Sequence, residues 1–139
     1  MFRNSVTVAL LVAWPNLASA QNFTTAAEIS AIIDAIRDDW IAVREWEGND
    51  LIYFTNPMAW RCGMSEIRYG LNGAPAETVL PMEPCYEDLP NPNVLLVDQG
   101  VDLFVTEALK SVQTVSVVIV LDDGSEKTAE FKRADVIMP

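Results

Sequence analysis

Val115-Ser116-Val117-Val118-Ile119-Val120-Leu121, followed by Asp122-Asp123-Gly124-Ser125 and then Lys127 to Arg133, decides how this chain is read. Val115, Val117, Ile119 and Leu121 alternate with Ser116, Val118 and Val120, the period of a strand with one face in a core. Asp-Gly supplies the positive φ that a tight hairpin turn requires. The chain then returns with Ala129 and Phe131 on one face. A C-terminal hairpin is therefore the firmest element.

Working back from it, the pattern stays mainly β. Ile67, Tyr69 and Leu71 alternate with Glu66, Arg68 and Gly70 in a predicted strand within residues 60–72, closed by the turn signal Asn72-Gly73. Leu51-Ile52-Tyr53-Phe54-Thr55 is strongly β-prone and follows the turn cluster Gly48-Asn49-Asp50. This favours a hairpin of 40–47 with 51–56, although Trp40, Val43 and Trp46 would also continue a helix. Residues 74–93 hold Pro75, Pro81, Pro84, Pro90 and Pro92, which argues for an extended loop with at most an edge strand at Thr78 to Met82. Val94 to Val97 and Val101 to Thr106 are short apolar runs around Asp98-Gln99-Gly100. Near the N-terminus, Thr25-Ala26-Ala27-Glu28 fits a capping box, and Ala26, Ile29, Ile32, Ile33, Ile36 and Trp40 recur at helical steps, so a helix spans roughly 25–39. Several short strands with turn signals predict a mainly β or α+β fold: a small antiparallel β-sandwich with one N-terminal helix.

Residues 1–20 have the order of a secretory signal: Arg3, an apolar run from Val6 to Trp14, the breakers Pro15 and Asn16, then Ala18-Ser19-Ala20. Cleavage is expected before Gln21, leaving one domain over 21–139. The apolar run is shorter than the ~20 residues a bilayer span takes, and no Cys follows it, so neither an anchor nor a lipoprotein is expected. The expected location is the periplasm or the exterior. In that setting Cys62 and Cys85 most often form one structural disulfide, worth roughly 3 kcal/mol by loop-closure entropy. Two thiolates without His make a poor metal site. Their spacing is not that of a Cys-x-x-Cys redox pair. Asn22-Phe23-Thr24 matches a glycosylation acceptor, which has meaning only in a eukaryote.

Composition excludes more than it assigns. The 139 residues include 20 Asp plus Glu, 9 Lys plus Arg and no His. Ser-His-Asp and Cys-His catalysis and His-ligated zinc are therefore unavailable. The net charge of −11 disfavours nucleic acid and anionic lipid as partners. It fits a basic protein or peptide, or serves solubility alone. No Gly-rich phosphate loop and no Ser-x-x-Lys nucleophile occur, so no cofactor is expected. A carboxylate-dependent hydrolase would need two carboxyls about 5 to 9 Å apart with one pKa raised, and most acids fall in predicted turns. Asp122-Asp123-Gly124-Ser125-Glu126 is oxygen-rich, but it lacks EF-hand spacing and reads as the hairpin turn.

Trp40, Trp46, Tyr53, Phe54 and Trp60 gather within about twenty residues. The commoner reading is a core. The functional reading is an exposed strip in which aromatic side chains anchor a partner and nearby acids steer it. On that reading the candidate partner-binding residues are Trp40, Glu45, Trp46, Glu47 and Asp50.

The motifs Tyr53-Phe54-Thr55, Trp60-Arg61-Cys62-Gly63, Ile67-Arg68-Tyr69, Asn72-Gly73 and Pro84-Cys85, with the tail from Ser111 to Val117 and Asp123-Gly124, resemble small exported bacterial β-domains. They are similar to the C-terminal β-rich portions of some bacterial caspase-like proteins. The resemblance spans about 53–133 and implies fold rather than activity, because the catalytic Cys-His pair of those proteases is missing. The expectation is a non-enzymatic, soluble, exported binding module for a protein or peptide partner. The alternatives are an inhibitor or immunity-type protein and a carboxylate-dependent hydrolase.

Overall fold

The computed structural model describes residues 8–13 and 22–139. Residues 1–7 and 14–20 of the expected leader, and its cleavage site before Gln21, lie outside the described residues. Among the described residues, no helix is long and apolar enough to cross a membrane.

Two antiparallel sheets enclose one core. Strands β1 (Ala42–Trp46), β2 (Asn49–Tyr53) and β5 (Phe104–Ala108) form a three-stranded sheet in the order β1-β2-β5. Strands β3 (Met64–Leu71), β4 (Thr78–Val79), β6 (Thr114–Leu121) and β7 (Glu126–Lys132) form a four-stranded sheet in the order β4-β3-β6-β7. Helix α1 (Ala26–Ala35) precedes them, and the single turns α2 (Thr55–Met58) and α3 (Arg133–Val136) follow β2 and β7. The mainly β fold with an N-terminal helix agrees with the sequence pattern.

The alternation in β6 sorts its side chains as expected. Val115, Val117, Ile119 and Leu121 are buried in the core with Val43 and Ile52 from the opposite sheet and Ile29 and Ile33 from α1. The Leu121 N–H returns to the Ser125 carbonyl at 2.8 Å around Gly124, whose φ is +84°. The Ser125 N–H and hydroxyl both donate to Asp123 Oδ1. That carboxylate closes the turn, as Asp does in such positions.

Helix α1 starts at the expected cap: Thr25 Oγ1 accepts from the Glu28 N–H. Its end differs from expectation. The α-helix stops at Ala35 and a 3₁₀ turn covers Arg37–Asp39, because Trp40 folds back and its indole N–H donates to the Ile33 carbonyl at 2.9 Å. The helix lies beside β7: Asp34 pairs with Lys127 at 2.8 Å, Arg37 donates to the Thr128 carbonyl, and the rings of Trp40 and Phe131 are 6.3 Å apart. A side chain on Gly63 would sit 2.7 Å from the Thr25 carbonyl oxygen and 2.8 Å from Ile29. Glycine there lets the helix close onto the chain after α2.

The first hairpin turns earlier than its composition suggests. Glu47 and Gly48 carry the positive φ values, +49° and +79°, the requirement of a type I′ turn at its two central positions. Asn49 and Asp50 consequently lie inside β2, paired with Trp46 and Glu45. The apolar run 94–97 forms no strand. The carbonyls of Asn93 and Val94 accept from Arg61, and the amides of Leu96 and Val97 donate to Glu83, so side chains satisfy this backbone. The edge strand expected at 78–82 shortens to Thr78–Val79.

Candidate functional site

Cys62 and Cys85 form the expected disulfide. Around it, Arg61 is buried and donates to the carbonyls of Met58, Glu83, Pro84, Asn93 and Val94. A planar fork with five N–H donors suits this task, which lysine could not perform. Asn93 accepts from the Cys62 N–H and donates to the Asn22 and Phe23 carbonyls. Glu83 is buried as well. Burial raises its pKa, but hydrogen bonds from the Tyr86 hydroxyl and the Leu96 and Val97 amides together hold it below its usual value. These side chains organise the proline-rich loop; the sequence offered no pattern that marks them.

Two of the five candidate partner-binding residues leave the surface. Trp40 is fully buried against the core; it precedes β1, so strand alternation does not govern its direction. Asp50 is also fully buried. The one-residue-early turn places it in β2 facing inward. Arg133 contacts both of its oxygens, at 2.6 and 3.0 Å, and the Lys110 and Val112 amides donate to it. The hydrogen bonds from Arg133, opposed by burial and helped by the two amides, lower its pKa to about 2. Asp50 is a fixed anion that ties β2 to the β5–β6 connection and to α3. Glu45 is exposed and also engages Arg133, at 2.8 Å, sharing that one cation with Asp50. Glu47 is exposed at the hairpin tip.

Trp46 remains on the surface, 48% exposed, with the Arg44 guanidinium 4.0 Å over its ring. Register places it among partners. Ala42 faces Tyr53, and Tyr53 faces Phe104; Arg44 faces Leu51, and Leu51 faces Thr106; Trp46 faces Asn49. Residues directly opposite share a face, so Ala42, Arg44, Trp46, Leu51, Tyr53 and Phe104 line the outer side of the three-stranded sheet. Val43, Ile52 and Val105 line its inner side and belong to the core or pack against it. Leu51 is buried yet stands outside the core cluster. Tyr53 and Phe104 approach to 5.4 Å between ring centres. A groove of about 370 Å³ runs beside this strip, bounded by Asp39, Ala42, Arg44, Tyr53, Asn56 and Met138.

Comparison with family models, with curated proteins and with solved structures gives no match.

Sequence reasoning singled out Trp46 and missed Phe104. Nothing in Val101 to Thr106 signals which alternate residue faces out until pairing with β2 is known. Among the described residues, no three His, Cys, Asp or Glu side chains converge in a way that would hold a metal ion. Asp122 is pushed upward in pKa by burial and by Asp123, while Ser125 pulls Asp123 downward. Both sit at an exposed hairpin turn.

Proposed function

We propose that this chain is a non-enzymatic binding module whose contact surface is the outer face of the three-stranded sheet, with a basic protein or peptide as partner. The observation that carries this reading is a sheet with large apolar side chains on both sides. The inner side faces the core, while the outer side presents Trp46, Tyr53 and Phe104 beside a groove, with Leu51 buried beneath them. A partly exposed aromatic strip of this kind offers contact area at small conformational cost and is typical of binding hot spots. Asp39 and Glu47 stand exposed at its margins, where acids raise the rate of encounter with a cation more than the final affinity. The Cys62–Cys85 bridge supports operation in an oxidising compartment, the periplasm or the exterior.

Selection of phage-displayed random peptides on the purified protein tests this. The reading expects enrichment of sequences carrying Lys or Arg with apolar residues, and loss of their binding on Trp46→Ala. Enrichment of acidic sequences, or of clones indifferent to Trp46→Ala, would contradict it.

A further inference from the structure

The two sheets end in four outer strands, and three are blunted. The edge of β1 is covered by the chain's own C-terminal segment: Ile137 bridges Val43, and the Met138 N–H donates to the Val43 carbonyl at 2.7 Å. The edge of β7 carries Glu126, Lys127, Glu130 and Lys132 and lies beside α1. Strand β4 has two residues. These are the usual devices against uncontrolled pairing at sheet edges.

Strand β5, Phe104-Val105-Thr106-Glu107-Ala108, is longer than β4, has no backbone hydrogen-bonded to its outer edge as β1 has, and carries one charged side chain, Glu107, against four on β7. It contains no Lys and no Pro. The Phe54 N–H donates to the Leu103 carbonyl at 3.2 Å. Alternation along an antiparallel ladder then turns the backbone groups of Val105 and Glu107 toward β2 and those of Phe104 and Thr106 outward. Among the described residues, no hydrogen bond outside the ladder reaches the outward N–H or C=O of Phe104 or Thr106.

Charge selects the occupant. From Tyr69 to Leu109 the sequence holds Glu77, Glu83, Glu87, Asp88, Asp98, Asp102 and Glu107, and no Lys or Arg. Asp98 and Asp102 are exposed just before β5. Asp98, Asp102 and Glu107 outnumber the one cation next to β5, Lys110, so a cationic segment suits this edge better than a second copy carrying the same excess of acid.

We infer that the β5 edge accepts an extended, lysine- or arginine-rich peptide segment as a fourth strand of the β1-β2-β5 sheet. This rests on the binding reading above and specifies its mode. Backbone groups of Phe104 and Thr106 supply the main-chain hydrogen bonds, as in recognition by strand addition. Alternate side chains of the peptide lie beside Phe104 on the outer face, continuing the strip through Tyr53. Its cations meet Asp98, Asp102 and Glu107.

Amide hydrogen exchange read by NMR tests the inference. The probes are a seven-residue peptide of alternating lysine and valine, the same peptide with alternate amides N-methylated, and a glutamate–valine counterpart. The lysine–valine peptide should slow exchange at Phe104 and Thr106 by about tenfold or more, methylation should weaken binding by about tenfold or more, and the acidic peptide should not bind. A Thr106→Pro variant removes one outward donor and should weaken binding similarly; the methylated peptide makes the same point without altering the protein. Equal binding of the methylated peptide, or protection of these amides by self-association without peptide, overturns strand addition. Quenching of Trp46 without protection at Phe104 and Thr106 overturns strand addition and leaves the binding reading standing. Failure of both these peptides and the selected phage clones to bind overturns both.

Discussion

Replacing Asp50 by Ala should destabilise this protein more than replacing any other acid. The substitution leaves the largely buried Arg133 guanidinium and the Lys110 and Val112 amides without their acceptor. Breaking a buried, hydrogen-bonded ion pair by removing one partner costs about 3–5 kcal/mol. The pKa gives a second route to the magnitude. A drop from 3.8 to about 2 on folding, at ~1.36 kcal/mol per unit, stabilises the folded state by roughly 2.5 kcal/mol above the unfolded-state pKa. Because the folded pKa is the lower one, this contribution is fully present near neutrality and is lost as pH falls through 3.8 toward 2. Urea unfolding of wild type and Asp50→Ala, with the disulfide intact, measures the gap. It should be about 3–5 kcal/mol near pH 7 and narrow by roughly 1 kcal/mol near pH 3 and roughly 2 kcal/mol near pH 2. A gap below about 1 kcal/mol near neutrality, or one that does not change with pH, would refute the assignment of Asp50 as a locked anion.

Replacing Cys62 and Cys85 together by Ser should lower stability by about 2–5 kcal/mol, and alkylation of the unreduced protein should label neither residue. Arg61→Lys keeps the charge but loses the fork to five carbonyl groups, so the loop around 84–97 should be cut by protease faster than in wild type while β6 and β7 keep their exchange protection. Gly63→Ala forces a Cβ to within 2.8 Å of Ile29 and 2.7 Å of the Thr25 carbonyl; it should cost about 1–3 kcal/mol, with the first loss of protection in α1. Trp46→Ala should change unfolding stability by under about 1 kcal/mol, since half of the side chain is in water, while abolishing capture of the selected peptides.

Local patterning carried much of this fold. The alternation of β6, the Asp-Gly turn, the capping box at Thr25 and the inward residues Ile67 and Tyr69 all stand where the sequence puts them, because each depends on neighbours within a few positions. The departures come from long-range contacts. Trp40 obeys its hydrogen bond to Ile33 rather than a strand period. Asp50 reads as a turn residue beside Gly48 and Asn49, but Arg133, 83 positions away, makes it a core anion. The outer aromatic face became visible only with the β2–β5 register, since Tyr53 and Phe104 are distant in sequence. Of the partner-binding candidates, Glu47 and Trp46 lie on the surface, Trp46 under Arg44; Glu45 is exposed and shares Arg133 with Asp50; and Trp40 and Asp50 belong to the interior.

The binding of a basic partner proposed for the outer face of the β1-β2-β5 sheet comes down to one titration. The most direct test is the affinity of an enriched phage peptide, made synthetically and fluorescently labelled, measured by anisotropy on wild type and Trp46→Ala as salt is raised from about 0.05 to 0.5 M. Screening contracts from roughly 14 Å to roughly 4 Å over that range. Affinity should fall steadily with salt on wild type and be lost on Trp46→Ala at every salt concentration. Affinity independent of salt, and equal on both proteins, would contradict it.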